Sequence, residues 1–197
     1  MVRADVVRAD AALVAGLRRR DPRAFDEVYT RYQGRIWSFL VRLAGRRDVA
    51  EDLVQETWMQ VARYAERLDE NTDLRAWLFT VARNRHRSHR RWALLGWARS
   101  EPMDVEPEDP GPDLEDTTAA RAEVALVHEG LQAIGAAHRE VLLLSAVEGF
   151  DAPQVAAVIG IREDAARKRL SRARAELAAW LETREAGKRN EIQGVRR

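Results

Sequence analysis

The sequence predicts an all-α protein in which two small helical domains are joined by a flexible acidic linker. The alternation of apolar and polar residues that is typical of a strand occurs nowhere in its 197 residues. Ala, Leu, Arg and Glu dominate, and they favour helices. Residues 100–116 carry eight acids, four prolines and no base, so they cannot bury enough apolar surface to fold. We expect domains over 1–99 and 119–182, a linker over 100–118, and a polar tail over 183–197 that frays.

The composition excludes several kinds of site. The chain has no cysteine, which rules out disulfides, thiolate nucleophiles and cysteine-ligated zinc. Its apolar runs are too short to span a bilayer, and the N-terminal stretch MVRADVVRAD lacks the apolar segment of a signal peptide. The sequence contains no phosphate-binding loop motif. We therefore expect a cytoplasmic protein that needs no cofactor or metal and inserts into no membrane.

Charge is segregated along the chain although the net charge is only +1. Residues 74–99 contain seven arginines and no acid, and the purely acidic segment follows directly. Local fields, and not the total charge, should therefore govern any binding of nucleic acid.

The first domain should contain three helices after residue 20. Asp21 and Pro22 are an N-cap and a first-turn proline, and Gly45 ends a helix whose apolar stripe is Phe25, Val28, Tyr29, Tyr32, Ile36, Phe39, Leu40 and Leu43. Asp48 with Glu51 predicts a capping box that opens the second helix, whose apolar residues are Leu53, Val54, Trp58, Val61 and Tyr64. Thr72 or Asp73 should cap the third, in which Leu74, Trp77, Leu78 and Val81 recur at helical spacing.

The second domain should contain four helices, two of them near 119–133 and 137–147. A short helix follows, with Asp151 and Gln154 as its cap and Pro153 in its first turn, and Gly160 separates it from a longer basic helix. This order is typical of a helix-turn-helix, in which the second helix enters the major groove. The side chains expected to be exposed for DNA contacts are Arg167, Lys168, Ser171, Arg172 and Arg174, with Arg162 at the start of the helix. The alternative is a solvated basic face on a helical hairpin.

Two further faces carry chemistry. Asp52, Gln55 and Glu56 share one side of the second helix, which is either a solvated acidic face or a docking face for a basic partner. The third helix ends in a basic stretch bracketed by Trp77, Phe79, Trp92 and Trp97, the mixture that binds single-stranded DNA by stacking, although the spacing of Trp77 also favours a core position. His86 and His89 make a poor metal pair because the surrounding arginines repel a cation.

Two segments together resemble the bacterial RNA polymerase sigma factors. AEDLVQETW followed by LRAWLFTVARNRHRSHRR is similar to their conserved region 2. REVLLLSAVEGFDAPQVAAVIGIREDAARKRLSRARAEL is similar to their region 4. The short connection, with no domain between, resembles the extracytoplasmic-function (ECF) group, and the resemblance covers about residues 20–181.

The resemblance implies two partners, core RNA polymerase and promoter DNA, the latter both as duplex and as the non-template single strand. It places polymerase binding on Asp52, Gln55 and Glu56. It places minus-ten DNA binding on Arg83, Asn84, Arg85, Arg87 and Arg90. The loop that captures a flipped base corresponds to Glu66, Arg67, Asp69 and Asn71. Reading of the minus-thirty-five element falls to Arg167, Lys168, Ser171 and Arg172.

The resemblance also implies an anti-sigma protein as a partner. It further implies that the linker passes through the polymerase toward the RNA exit path. We further expect the acidic linker to shield the arginines of residues 83–91 in the free protein. The sequence departs from the family pattern at Ser88, Asp164, Ala165 and Ala166, from which we expect an unusual promoter preference.

Two other functions fit parts of the sequence. A free-standing helix-turn-helix regulator would bind duplex DNA without polymerase, and the acidic face around Asp52 distinguishes the two because only a sigma factor needs it. A helical enzyme would have to use His86, His89 or His128, and no paired catalytic group accompanies them.

Overall fold

A computed structural model describes residues 2–95 and 118–194. These residues form the α-helices α1 (Val2–Arg18), α2 (Pro22–Ala44), α3 (Arg47–Tyr64), α4 (Leu74–Leu94), α5 (Thr118–Ala133), α6 (Ala136–Leu142), α7 (Ala152–Ile159) and α8 (Glu163–Gly194). A 3-10 turn over Ala65–Arg67 follows α3, and a π-helical turn over Leu143–Val147 continues α6. The described residues contain no strand, so the all-α prediction is confirmed. We call residues 2–95 the first module and residues 118–194 the second module.

Local capping sets three helix ends in the first module. The Asp21 side chain accepts from the Arg23 amide at 3.0 Å at the start of α2. Gly45 ends that helix in the left-handed region, with a φ of 71° that L side chains avoid. The Asp73 Oδ1 atom accepts from the Ala76 amide at 2.9 Å and caps α4. These three predicted ends are confirmed.

The predicted capping box of α3 is wrong. The N-cap of α3 is Arg46, without a side-chain cap, and Asp48 already lies inside the first turn. The Arg46 Nε atom donates to the Asp48 carboxylate at 3.1 Å, and the Arg47 Nε atom donates to Glu51 at 3.2 Å. Since α3 begins before Asp48, both acids pair with the arginines of the helix start instead of capping its amides.

In the second module, Asp151 and Gln154 form a complete capping box at the start of α7, as predicted. The Gln154 amide donates to Asp151 Oδ1 at 2.9 Å, and the Asp151 amide donates to Gln154 Oε1 at 3.2 Å. Gly160 turns the chain toward α8 with a φ of 71°. The last helix continues beyond residue 182 and reaches Gly194. Most of residues 183–194 are strong helix formers, which explains the extension.

The two modules share one hydrophobic core. The Phe79 ring of α4 meets Phe39 of α2 at a centroid distance of 5.2 Å and Phe150 of the second module at 5.4 Å, both edge to face. All three side chains are buried. The Phe150 ring therefore extends the core of the first module into the second, and α7 packs against α4.

Polar contacts close the same junction at the C-terminus of α2. The Gln132 Nε2 atom donates to the Arg42 carbonyl at 2.9 Å, and the Arg139 Nη1 atom donates to the Leu43 carbonyl at 3.2 Å. Carbonyls at a helix end have no partner within the helix, so side chains of the second module satisfy those of the first. A Cβ at Gly45 would lie 2.5 Å from Gln132 Oε1, so a larger residue here would have to displace the Gln132 side chain from this junction.

Candidate polymerase and promoter interfaces

The acidic face lies on the outside of α3. Asp52, Gln55 and Glu56 are all exposed, while Leu53 and Trp58 on the other side of the helix are buried. Helical periodicity produces this division because residues spaced by three and four share a side. The face is open to a partner in the described structure.

An apolar groove that the sequence analysis missed lies beside this face, between α2 and α3. It has a volume of about 520 Å³, and its largest lining side chains are Phe25, Tyr29, Trp37, Trp58 and Met59. Gln55 also lines it, so the groove and the acidic face are continuous. Met59 is 60% exposed, which is high for a large apolar side chain.

Tyr29 is the clearest departure from the predicted core stripe. It is 41% exposed, and its ring packs on Trp58 at a centroid distance of 4.9 Å instead of entering the core. The apolar stripe on α2 is wider than the face that the core buries. Phe25 and Tyr29 lie at the edge of this stripe and form a wall of the groove. In the sequence, the one feature that could have indicated this groove is Met59, an apolar residue among the polar residues of the exposed side of α3.

The candidate flipped-base loop follows α3. Its four predicted residues are all exposed, namely Glu66, Arg67, Asp69 and Asn71. The loop is anchored by Ala65 and Leu68, which are both buried. The Asn71 amide donates to Asp69 Oδ1 at 2.8 Å, a local turn that holds the tip.

Two arginines of the first module tie this loop to the end of α1. The Arg20 Nε atom donates to Glu66 at 2.8 Å, and the Arg18 Nη1 atom donates to Glu70 at 2.5 Å. The exposed tip between these two acids is therefore held from both sides.

The predicted minus-ten residues of α4 do not all share one environment. Asn84, Arg87 and Arg90 are exposed, and Arg85 is half-buried. Arg83 is buried at 7% exposure, and its Nε atom donates to Glu140 of the second module at 2.6 Å. In this conformation Arg83 cannot reach DNA, because the second module covers it.

The aromatic residues near this basic segment also differ in their exposure. Phe79 is fully buried against Phe150, so the expectation that it stacks on bases is wrong. Trp77 is partly buried and packs against the core, as its spacing indicates, whereas Trp92 is half exposed. Trp97, like the predicted shielding linker, lies outside the described residues.

The basic face of α8 is open to solvent. The four predicted residues Arg167, Lys168, Ser171 and Arg172 are all exposed. Ala166, Leu170 and Ala173 on the other side of the helix are buried. The Arg167 Nε atom donates to Glu163 at 2.9 Å within the first turn, which orients its guanidinium along the helix.

His86 lies in a buried environment with several cationic side chains nearby. Burial, chiefly, and then the charge of Arg90 lower the pKa of His86 to about 4. Among the described side chains, no group of three or more His, Cys, Asp or Glu residues could hold a metal ion. In the described part of the chain, no helix has the length and hydropathy needed to cross a membrane.

Comparison with known proteins decides the family. The Sigma-70 region 2 family matches residues 28–93, which include α3, the loop and most of α4. The Sigma-70 region 4 family matches residues 127–177, which include α7 and the basic face of α8. The sigma factor CnrH of Cupriavidus metallidurans is 32% identical over 184 residues, covering 88% of this chain and 95% of CnrH. The chain belongs to the ECF group of RNA polymerase sigma factors.

Further relatives of this sigma factor agree. The ECF sigma factor SigL of Mycobacterium tuberculosis is 32% identical over 161 residues, covering 81% of this chain and 89% of SigL. The structure of CnrH in complex with the cytosolic domain of CnrY has a TM-score of 0.67 at 29% identity and covers 89% of this chain and 98% of that one. The Bartonella quintana sigma factor RpoE in complex with the anti-sigma factor NepR has a TM-score of 0.64 at 27% identity and covers 80% and 96%.

Proposed function

We propose that this sigma factor docks on core RNA polymerase through the acidic face and groove of the first module and binds promoter DNA through both modules. One observation carries the proposal. The segment that matches region 2 presents an exposed acidic face for a basic surface of the polymerase, and the segment that matches region 4 presents an exposed basic face for DNA. The limits 1–99 and 119–182 for the two binding units, with the 100–118 linker between them and a tail over 183–197, remain part of the proposal.

The polymerase surface combines charge with apolar area. Asp52 and Glu56 supply a negative field that steers a basic partner, and the adjoining groove offers about 520 Å³ of mainly apolar space for its side chains. Aromatic and methionine side chains are enriched in the centres of protein interfaces, with charges at the rim. The groove around Trp58 and Met59, beside Asp52 and Glu56, has this arrangement.

The promoter surfaces divide into duplex and single-strand readers. On α8, Arg167, Lys168 and Arg172 project from a helix of the size that fits the major groove, where Arg and Lys bind guanine edges and phosphates. The loop of Glu66, Arg67, Asp69 and Asn71 receives a base flipped from the non-template strand. Extruding a base costs a few kcal/mol, which loop capture and contacts of the α4 arginines with phosphates would offset.

The remaining assignments follow from this role. The protein acts in the cytoplasm with the polymerase, as a binding factor and not as an enzyme. An anti-sigma protein is a further proposed partner, since the similar sigma factor RpoE of Bartonella quintana forms a complex with the anti-sigma factor NepR. The free-standing regulator is disfavoured because the first module matches Sigma-70 region 2 over its docking and loop segments.

Size-exclusion co-elution with bacterial core RNA polymerase tests the proposal, using the wild type, Asp52→Arg and Glu123→Arg. Asp52 lies on the proposed docking face, while Glu123 is an exposed acid on α5 of the second module. We expect the wild type and Glu123→Arg to co-elute and Asp52→Arg to separate. If the wild type fails to bind polymerase but still shifts duplex DNA, the regulator function replaces this one.

A further inference from the structure

The ion pair between Arg83 and Glu140 joins the two modules through a residue that the proposed function assigns to DNA. The Arg83 Nε atom lies 2.6 Å from Glu140 Oε1, and the two side chains are only 9% and 8% exposed. The residues are 57 positions apart, on α4 and α6. The contact is therefore a tertiary one that exists only while the modules are packed together.

A buried guanidinium in such a pair cannot also serve a phosphate. Glu140 takes the Nε–H of Arg83, and because the arginine side chain is only 9% exposed, its other N–H groups are also closed to a DNA phosphate. Glu140 also repels a phosphate that approaches it. Removing one member of a buried pair is strongly unfavourable because the other is left charged without compensation. Closure and the DNA contact of Arg83 are thus mutually exclusive.

Three other contacts support the same closure. The Arg35 Nε atom of α2 donates to the buried Glu148 carboxylate of the second module at 3.0 Å. The Gln154 Nε2 atom donates to Asp73 Oδ2 at 3.1 Å, which links the first turn of α7 to the N-cap of α4. The rings of Phe79 and Phe150 pack against each other in the shared core. Each contact joins one module to the other, so separating the modules breaks them together.

We propose that this sigma factor contains an intramolecular latch, in which Glu140 of the second module occupies Arg83 and weakens the binding of single-stranded DNA by the free chain. The inference rests on the proposed minus-ten role of Arg83. Asn84 and Arg87, on the same helix, stay at least partly exposed in the latched state, so the latch acts on Arg83 itself. The highest affinity for single-stranded DNA then requires the two modules to separate. DNA binding therefore depends on an event that opens the chain.

Energy transfer between two dyes measures the latch directly. The chain has no cysteine, so Thr30→Cys on α2 and Ala157→Cys on α7, both exposed positions, can carry one dye each. In this background we compare Glu140→Gln with Glu182→Gln, an exposed acid of the same module. We expect Glu140→Gln to lower the transfer efficiency of the free protein and Glu182→Gln to leave it unchanged. This readout needs neither polymerase nor DNA, so it can succeed or fail independently of the proposed function.

Binding to a short fluorescein-labelled single strand of mixed sequence measures the masking. We expect Glu140→Gln to tighten binding by roughly fivefold or more, the usual lower range of coupling between two sites. Glu182→Gln removes the same charge without opening the chain. It therefore shows how much of the tighter binding comes only from the weaker repulsion between the protein and the DNA. Unchanged energy transfer in folded Glu140→Gln protein would refute the latch. Opening without tighter binding would refute the masking of Arg83.

A second variant keeps the test decisive if Glu140→Gln does not fold. Arg35 lies exposed on α2, and Arg35→Ala removes the ion pair with Glu148 between the modules while leaving both Arg83 and Glu140 in place. We expect a smaller fall in transfer efficiency and a smaller gain in single-strand binding. The test is completed by Arg83→Gln, which breaks the pair with Glu140 from the other side. If circular dichroism shows that Arg35→Ala and Arg83→Gln are both folded and both keep the transfer efficiency of the wild type, the modules are not held by these pairs and the latch is rejected.

Discussion

The rings of Phe79 and Phe150 meet edge to face at a centroid distance of 5.4 Å and an interplanar angle of 81°. The two residues belong to different modules, and both are buried among residues of a single core. Helices of the first module and of the second therefore contribute to one packed interior. The described residues should unfold as one cooperative unit and not as two independent domains.

Phe150→Ala should lower the free energy of unfolding by about 3–5 kcal/mol, the usual cost of a buried phenylalanine. Val147→Ala, at a half-exposed position in the adjoining π-helical turn, should change it by less than about 1 kcal/mol. Urea unfolding followed by circular dichroism gives both values. Two separated transitions in the wild type would contradict the shared core.

Met59→Glu should weaken binding to core RNA polymerase without lowering stability. Met59 is 60% exposed in the groove of α2 and α3, so its loss removes interface area and places a charge there. Co-elution and the midpoint of thermal unfolding separate the two effects. Val127→Glu, the matched change at an exposed apolar position on α5, should bind as the wild type does. Equal binding by both variants would exclude the groove from the interface.

Arg172→Ala should weaken binding of the polymerase complex to promoter duplex by about 1–3 kcal/mol if it contacts a base edge, roughly fivefold or more. Arg184→Ala is the matched control, because Arg184 lies on the same helix but donates to Glu129 of α5 at 2.8 Å. Filter binding over a range of salt concentrations distinguishes the contacts. A uniform loss across sequences with a reduced salt slope would instead place Arg172 on a phosphate.

His86 should make the fold sensitive to acid. Its pKa is lowered from 6.5 to about 4, first by burial and then by Arg90, His89, Arg139 and Arg83. The native state then binds fewer protons than the unfolded state between those values. The stabilisation is complete above the unfolded pKa and is lost as the pH falls from 6.5 through about 4.

His86→Gln removes this titration, so acid should destabilise the wild type more than the variant. The unfolding free energy of the wild type minus that of the variant should fall by a few kcal/mol on acidification, because one pKa unit corresponds to about 1.4 kcal/mol. Urea unfolding at several pH values measures the difference. The NMR titration of the His86 ring gives its pKa directly. A midpoint near the ordinary value of 6.5 would contradict the buried, cation-rich environment.

Helix ends were predictable wherever a local hydrogen bond sets them. Asp73 and the pair Asp151 and Gln154 act within three residues of the helix start, so the sequence contains the whole interaction. The prediction that Asp48 caps α3 is wrong because the helix already begins at Arg47. Arg46 and Arg47 pair with the two acids of the predicted box. The π-helical turn over Leu143–Val147 has no comparable local signal.

The sequence alone determined the helical class, most of the helix ends and the two charged faces around Asp52 and Arg172. Each of these depends on spacing or capping within a few residues. Only the tertiary structure decided that Arg83 is covered, that Phe79 is buried and that Tyr29 lines a groove. Arg83 and Glu140 lie 57 residues apart, and their meeting depends on how α4 and α6 pack together. Burial is settled by such distant neighbours, and no local pattern contains them.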